Sequence, residues 1–329
     1  MEAPARSTLL VAVGVLAVLL VAAAALARTA SGPADRWTVA SPDGSVTATV
    51  AARANHFVLT VRRRGRRVLD TPLGTADARR LAIATGTVRD AFTTPAGKRL
   101  RHELDAHRLT LSFGPRRRIE VLAADDGVAL RQTGAGAEST AWRPPPGTRA
   151  WLQSFRASYE GHYDPVALDA ARAGDYGFPA LLDTGAGTWA LLTEAGLTRG
   201  AAARLTIAAG RRGTLGVALP RGEAPPDTTP WRVAVVGDLP AIVASDLALS
   251  LGRPSQIRDT SWIHPGRVAW SWWSEPASPG DARRQRAYVR AAAAYGWPYV
   301  LLDAGWWNVR DMPGLARYAA ARGVRIMLW

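Results

Sequence analysis

Apolar and polar residues alternate in short segments from about residue 37 to residue 251. A period of two places successive side chains on opposite faces of a strand. Turn-forming residues separate the segments; in Ser41-Pro42-Asp43-Gly44 the proline presets φ and the glycine accepts a positive φ. Because no long amphipathic helix interrupts the series, the pattern predicts a large antiparallel β-sandwich. The predicted strands are 45–50, 57–61, 109–113, 119–122, 128–132, 188–192, 214–218 and 231–236.

The pattern changes after residue 260. It predicts a strand over 268–273, a helix over 281–295, a strand over 299–303, a helix over 312–322 and a strand over 324–329. The strand starts are 31 and then 25 residues apart (268, 299, 324), which is the repeat of a (β/α)8 barrel. Eight such units take about 250 residues. Residues 260–329 suffice for two units and a strand, so we expect a fragment that ends inside an incomplete TIM barrel.

Residues 9–27 form an uncharged run rich in leucine, valine and alanine, just long enough to cross a bilayer. Ala25-Leu26-Ala27 supplies the small-x-small pattern of a signal-peptidase site. A buried core helix is a poor alternative because the run has no polar face. The sequence therefore predicts an exported protein in which residues 1–27 are a cleaved signal peptide or a membrane anchor.

The formal net charge is +14. Of the 41 basic residues all but Lys98 are arginine, and they are spread along the whole chain. The densest cluster, residues 62–67, lies between strand-like segments and is predicted to be a hairpin turn. We therefore attribute the charge to an arginine-rich composition and predict no nucleic-acid partner. Cysteine is absent, which excludes disulfides, thiol nucleophiles and zinc–thiolate sites.

Two motifs in the second half of the chain, residues 265–274 (PGRVAWSWWS) and 296–306 (GWPYVLLDAGW), resemble the start of the barrel of glycoside hydrolase family 97. Upstream, residues 41–44, 158–163 and 192–195 resemble the N-terminal β-supersandwich of that family. The resemblance covers nearly everything from residue 37 onward. It implies a supersandwich over 37–257, a truncated catalytic barrel over 260–329, and an exo-acting α-glucosidase or α-galactosidase that depends on calcium.

Glu194 ends an apolar strand among neutral neighbours. The resemblance implies that this glutamate reaches the barrel mouth and binds calcium. The alternative from residue type alone is a solvated carboxylate at a strand end. Calcium takes six to eight oxygen ligands, so Glu194 cannot form the site alone, and the resemblance implies further ligands in barrel loops that this sequence lacks.

The candidate substrate-binding residues of the barrel segment are Asp303, Trp272, Trp273 and Trp306. Asp303 follows the second barrel strand, on the face where barrel active sites are built, and is expected to bind sugar hydroxyls. The tryptophans offer flat rings that stack on sugar faces. The alternatives are a turn cap for Asp303 and core packing for the tryptophans; for Trp270 core packing is the better interpretation.

The most polar and aromatic cluster of the β-rich region is Tyr159, Glu160, His162, Tyr163 and Asp164. We expect Glu160 to contribute to substrate binding if this loop faces the barrel mouth. A surface loop with satisfied hydrogen bonds is an equally good interpretation.

Glycoside hydrolysis needs two carboxyl groups that flank the scissile bond. The resemblance places them on later strands, so we expect the catalytic residues beyond Trp329. Glu275, just beyond the first barrel strand, could reach the pocket, but a solvated loop acid is the better interpretation. The favoured hypothesis is an exported, calcium-dependent α-glycosidase acting on an oligosaccharide. A non-catalytic carbohydrate-binding sandwich and a membrane-tethered basic scaffold are the alternatives, and the barrel-like segment argues against both.

Overall fold

A computed structural model of the chain describes residues 36–53, 56–75, 81–94, 96–134, 138–197, 202–220 and 222–329. The predicted signal peptide or anchor at residues 1–27 lies outside them. Among the described residues no helix is both long and apolar enough to span a membrane. The chain divides into two compact units, and the main division falls between Arg253 and Pro254. The first unit includes Arg101–Arg253 and the described residues before 94; the second includes Pro254–Trp329 with the described residues of 94–100.

The first unit is almost entirely antiparallel β-structure. Its strands are β1 (Arg36–Ala40), β2 (Val46–Arg53), β3 (His56–Arg63), β4 (Arg66–Thr75), β5 (Leu81–Thr93), β6 (Arg101–Phe113), β7 (Arg117–Ala124), β8 (Gly127–Thr133), β9 (Ala141–Trp142), β10 (Arg149–Leu152), β11 (Asp164–Ala167), β12 (Gly174–Tyr176), β13 (Ala180–Asp183), β14 (Trp189–Ala195), β15 (Arg204–Ile207), β16 (Leu215–Ala218) and β17 (Trp231–Gly237). All eight strands predicted for this region are present, so the prediction of a β-rich domain is confirmed.

These strands form a sandwich around one main core. A nine-stranded sheet has the order β11-β10-β13-β14-β17-β8-β7-β6-β5. Two four-stranded sheets, β1-β2-β3-β4 and β12-β15-β16-β9, are joined where backbone hydrogen bonds link Asp70 on β4 to Arg143 beside β9. Alternate residues of these sheets, such as Phe57, Leu111 and Leu192, are buried together, which is the arrangement that period-two alternation produces.

A smaller core covers the other face of the nine-stranded sheet. Two short helices, α1 (Leu239–Ala244) and α2 (Leu247–Ser250), pack Ile242 and Leu247 against Val233 and Val235 of β17. Both faces of β17 are therefore buried along its whole length. The strand β17 carries Arg232, which belongs to the candidate site.

The second unit has the alternating order that the sequence predicts. Its elements are β18 (Val268–Trp270), α3 (Ala282–Ala294), β19 (Tyr299–Leu302), α4 (Met312–Ala320) and β20 (Arg325–Leu328). The strands pair in parallel in the order β18-β19-β20, and the helices bury Val289 and Leu315 against Val300. Three strands form an open sheet, so the described residues do not form a closed barrel.

Candidate functional site

Glu194 lies near the end of β14, directly opposite Arg232 on β17 in the strand register. The Arg232 side chain is fully buried, and its Nη1 donates to Glu194 Oε2. Its Nε and Nη2 donate to the two oxygens of Glu138 at 2.8 and 2.6 Å. The backbone N–H of Ala203 also donates to Glu194 Oε2, at 3.3 Å. One guanidinium thus holds two carboxylates in a fixed geometry at one end of the sandwich core.

This cluster is short of positive charge. Two carboxylates face one guanidinium, and the side chains of Glu138 and Glu194 are each 5% exposed. Burial raises the pKa of Glu194, and the charge of Glu138 adds to that rise against the lowering effect of Arg232 and Ala203. Burial alone would lower the pKa of Arg232, but its bonds and charge interactions with both glutamates raise it. A second cation near Glu194 would relieve the excess negative charge.

Glu194 is placed to offer one oxygen ligand to a calcium ion. Oε2 accepts both hydrogen bonds to the Glu194 side chain, so Oε1 is available to coordinate a cation. Among the described residues no group of three or more histidines and acidic residues is arranged to hold a metal ion. The remaining oxygens that calcium needs would have to come from elsewhere. Calcium binding by Glu194 stays a prediction, but a solvated strand-end carboxylate is excluded by its burial.

The predicted polar loop lies close to Glu194. Burial raises the pKa of Tyr159, and the charges of Glu194 and Tyr163 raise it further, so these groups share one electrostatic environment. The Tyr159 ring meets Phe155 edge-on with 5.8 Å between centroids, and Gln153 Nε2 donates to the Tyr159 carbonyl at 3.1 Å. Glu160 is exposed next to them. The first unit therefore brings the predicted calcium ligand and the predicted loop into one region.

In the second unit Asp303 directly follows β19. Its Oδ1 accepts from the Ala304 N–H at 2.6 Å, and its Oδ2 accepts from Trp270 Nε1 at 2.8 Å. The first bond is the turn cap that was the alternative to substrate binding. The second fixes the carboxylate beside an indole, so Asp303 caps the turn and also lies at a partly exposed position among tryptophans.

The tryptophans at this end of the sheet form two groups. Trp272 stacks on Trp270 with 5.8 Å between centroids, and Trp273 lies 5.4 Å from the same ring. Trp306 contacts Trp307 edge-on at 6.0 Å. Trp273 is 79% exposed, so it presents the most open ring of the predicted set. Trp270 is half-buried and donates to Asp303; packing of its ring in the core of a complete barrel stays a prediction.

Glu275 bonds the guanidinium of Arg284 on α3, and its Oε2 lies 2.6 Å from Arg284 Nε. The hydrogen bond from Arg284 lowers the pKa of Glu275. Its partner is therefore a surface arginine and not a neighbour of Asp303.

Sequence reasoning missed Arg232 and Glu138. A signal for Arg232 was available, because it is the one charged residue within the otherwise apolar strand β17. An arginine at a fully buried position needs a carboxylate partner. No local signal identified Glu138, which lies in an irregular segment 94 residues away from Arg232.

Comparison with known proteins gives consistent results. Residues 39–254 match the family described as glycosyl-hydrolase 97 N-terminal. A probable retaining α-galactosidase of Streptomyces bingchenggensis is 34% identical over 95% of this chain and 56% of its own length. A retaining α-galactosidase of Bacteroides thetaiotaomicron is 37% identical over 32% of this chain and 19% of its own length. The chain spans about half the length of the first of these relatives and less of the second.

Solved structures show the same fold at lower identity. A β-arabinopyranosidase matches with a TM-score of 0.75 and 24% identity over 89% of this chain and 55% of its own. A glycoside hydrolase family 97 enzyme from Pseudoalteromonas sp. strain K8, in complex with acarbose, matches with a TM-score of 0.72 and 20% identity over 88% of this chain and 53% of its own.

Proposed function

The chain belongs to glycoside hydrolase family 97, and from this premise we propose that it is the N-terminal part of an exported, calcium-dependent glycosidase that removes terminal α-linked galactose or glucose. The family match over residues 39–254 carries the proposal. Both curated relatives described above are named retaining α-galactosidases, which supports galactose and a retaining mechanism. The solved complexes of similar fold hold acarbose and panose, which supports an oligosaccharide substrate.

In this proposal the second unit is the beginning of a (β/α)8 barrel. Its parallel β18-α3-β19-α4-β20 order supports this assignment, as does the 88% coverage of the chain by the acarbose complex. That coverage is about 290 of 329 residues. Because only 253 residues precede the main division of the chain, the match must extend into the second unit. Barrel active sites lie at the carboxyl ends of the strands, where Asp303 follows β19.

The proposed roles follow from the chemistry of each side chain. Asp303, already fixed by Trp270, accepts hydrogen bonds from sugar hydroxyls with the lone pairs that its present bonds leave free. Trp272, Trp273 and Trp306 present ring faces to the sugar. On the first unit, Glu160 presents an exposed carboxylate that accepts hydrogen bonds from sugar hydroxyls.

Glu194 would hold calcium through Oε1, and Arg232 would keep that carboxylate in place while Glu138 occupies the other side of the guanidinium. Calcium, when bound, supplies positive charge that draws substrate oxygens and polarises nearby groups. The chain's own contribution is the fixed, buried carboxylate.

The catalytic acid and nucleophile are proposed to lie beyond Trp329. A retaining glycosidase needs two carboxyl groups about 5 Å apart, one of which must be free to carry a proton. Glu275 is neutralised by Arg284, and Asp303 is bonded to Trp270 and Ala304. Both carboxylates are therefore held in the ionised form, and neither fits the role of the catalytic acid.

The DNA that follows the codon for Trp329 tests this proposal. We expect an open frame that encodes further β/α units with glutamates at strand ends. A stop codon there in the natural gene would contradict the proposal and favour a carbohydrate-binding protein without catalysis. Titration of the chain with galactose and glucose, followed by tryptophan fluorescence, provides a second readout; Asp303→Asn should weaken the response and Asp311→Asn, which alters only the cap of α4, should not.

A further inference from the structure

A wide basic depression lies on the first unit, on the turn between β6 and β7. Its volume is about 630 Å³, and five of its twelve lining residues are arginines: Arg116, Arg117, Arg118, Arg131 and Arg253. In the whole chain only 41 of 329 residues are basic, so the arginine-rich composition does not by itself account for this density. A second depression of about 230 Å³ shares Arg131 and Arg253 with the first. We call the two together the basic depression.

Three of these arginines are available to a ligand. Arg116, Arg118 and Arg253 are exposed, and none of their side chains bonds another residue in the part of the chain that the structure describes. Among the twelve lining residues the arginines outnumber the carboxylates, those of Glu120 and Asp227, by five to two. Such a concave surface attracts anions.

The depression is preformed. The guanidinium of Arg131 lies 4.2 Å from the centre of the Trp231 ring, and its Nε donates to the buried Glu120 at 2.7 Å. One wall is the segment around Thr228, which hydrogen-bonds to the end of β8: the Thr133 and Thr228 hydroxyls are 3.1 Å apart, and Gly134 N donates to Asp227 O at 2.7 Å. A ligand therefore meets a wall and an Arg131 guanidinium that are already in place, and the three exposed arginines are free to adjust to it.

The remaining polar groups indicate what kind of anion fits. Ser112, Thr133 and Thr228 place hydroxyls among the arginines, and the exposed Asp227 places a carboxylate there. A carboxylate repels a ligand that is held by charge alone, but it accepts hydrogen bonds from sugar hydroxyls. The planar guanidinium group of arginine donates two parallel hydrogen bonds to a carboxylate or sulfate group. This combination of donors and acceptors suits a hydroxyl-rich anionic chain.

We propose that the basic depression binds an anionic polysaccharide, with its arginines on carboxylate or sulfate groups and Asp227 on sugar hydroxyls. The observations disfavour nucleic acid, because Trp231, the aromatic residue of the depression, is only 9% exposed and has Arg131 over its ring. It therefore offers no face on which bases stack. This site goes beyond the proposed glycosidase function, and its test measures binding without hydrolysis, so failure of one proposal is distinguishable from failure of the other.

The test is calorimetric titration of the full chain with polygalacturonate, sulfated dextran and neutral dextran. The variant Arg116→Ser/Arg118→Ser/Arg253→Ser should lose about tenfold in affinity for the anionic polymer. A matched control, Arg211→Ser/Arg212→Ser/Arg283→Ser, removes three exposed arginines elsewhere and should stay within about twofold. Neutral dextran should not bind; whichever charged polymer binds more tightly identifies carboxylate or sulfate as the recognised group.

Asp227→Asn distinguishes a polysaccharide from a simple polyanion. It should weaken binding to the anionic polysaccharide severalfold, since one of the two acceptor oxygens becomes an amide donor and the other loses its charge, whereas it should tighten binding of any ligand held by charge alone. Four results would each overturn the proposal. Two concern the variants: tighter binding in Asp227→Asn, or equal losses of affinity in the two triple variants. Two concern the ligands: no binding to either charged polymer, or stronger binding of poly-glutamate or duplex DNA. If the triple variant does not fold, Asp227→Asn still decides it.

Discussion

Arg232 is the residue on which the region around Glu194 depends most. It is fully buried in β17 and pairs with two glutamates that are themselves almost inaccessible to solvent. Desolvation of a buried ion group costs free energy that its partners must offset. Removal of the Arg232 guanidinium leaves two buried carboxylates that repel each other, and this repulsion lowers the free energy of unfolding.

We therefore expect Arg232→Met to lower the free energy of unfolding by about 3–5 kcal/mol. Urea denaturation measures the change. Arg118→Met is the control: this arginine is exposed and has no ion pair among the described residues, so stability should change by less than about 0.5 kcal/mol. Equal stability of Arg232→Met and the native chain would show that the cluster contributes nothing to folding.

The raised pKa of Glu194 predicts a dependence of stability on pH. The unfolded chain ionises this group near the usual glutamate value of 4.5, whereas the folded chain retains the proton to higher pH. Between these two values the folded state binds more protons, so the contribution of Glu194 to stability falls as pH rises.

Glu194→Gln removes this titration. In calcium-free buffer the free energy of unfolding of the native chain should fall, relative to Glu194→Gln, as pH rises from about 4.5 through the raised pKa of the folded state. The difference between the two profiles cancels the titrating groups that do not interact with Glu194. Parallel profiles across this range would contradict the account of the cluster.

At the scale of elements, the sequence predicted eight of the seventeen strands described in the first unit and missed β1, β4, β5, β9 to β13 and β15. β2, β3, β6 and β14 alternate over five or more residues, and all were predicted. β9 to β13 have two to four residues each, too few for a period of two to be recognised. The helices α1 and α2 have six and four residues and were missed for the same reason.

The sequence also did not predict where the backbones of two strands approach each other closely. A Cβ on Gly127, the first residue of β8, would lie 2.4 Å from the carbonyl oxygen of Ala234 on β17. Nothing in the local sequence marks this glycine, because the constraint comes from a residue more than a hundred positions away.

Gly127→Ala should consequently destabilise the first unit by about 1–3 kcal/mol, since the central pair of strands must separate locally. Gly86→Ala is the control: its Cβ would meet only the flexible end of Arg108, at 3.6 Å. Thermal unfolding of both variants checks the prediction, and equal midpoints would show that β8 and β17 can move apart without cost.

At the scale of the whole molecule, the sequence predicted the change from β-sandwich to alternating β and α elements, because the two periodicities differ over many residues. It also predicted Asp303 at a strand end. It could not predict that Trp270 bonds Asp303 or that Arg232 bonds Glu194, since both contacts depend on strand register.

The irregular segment around the division between the units, which falls after Arg253, should be the first site of proteolysis. Residues 252–267 are all exposed and have no regular secondary structure, and they include Arg253, Arg258 and Arg267. Brief trypsin treatment should release a stable fragment that ends at one of these arginines, identified by mass. First cleavage at Arg131 or Arg204, inside strands of the sandwich, would show that the first unit is not a stable domain.

The central claim is that this chain supplies binding residues of an α-glycosidase whose catalytic carboxylates lie beyond Trp329. Hydrolysis of nitrophenyl α-galactoside and α-glucoside, with calcium and with a chelator, tests it most directly when this chain is compared with the protein expressed from the longer reading frame. We expect calcium-dependent turnover by the longer protein, reduced by Asp303→Asn, and no turnover above a protein-free control by the present chain. Turnover by the present chain that is lost in Asp303→Asn or Glu275→Gln would contradict the claim, because the catalytic carboxylates would then already be among its 329 residues.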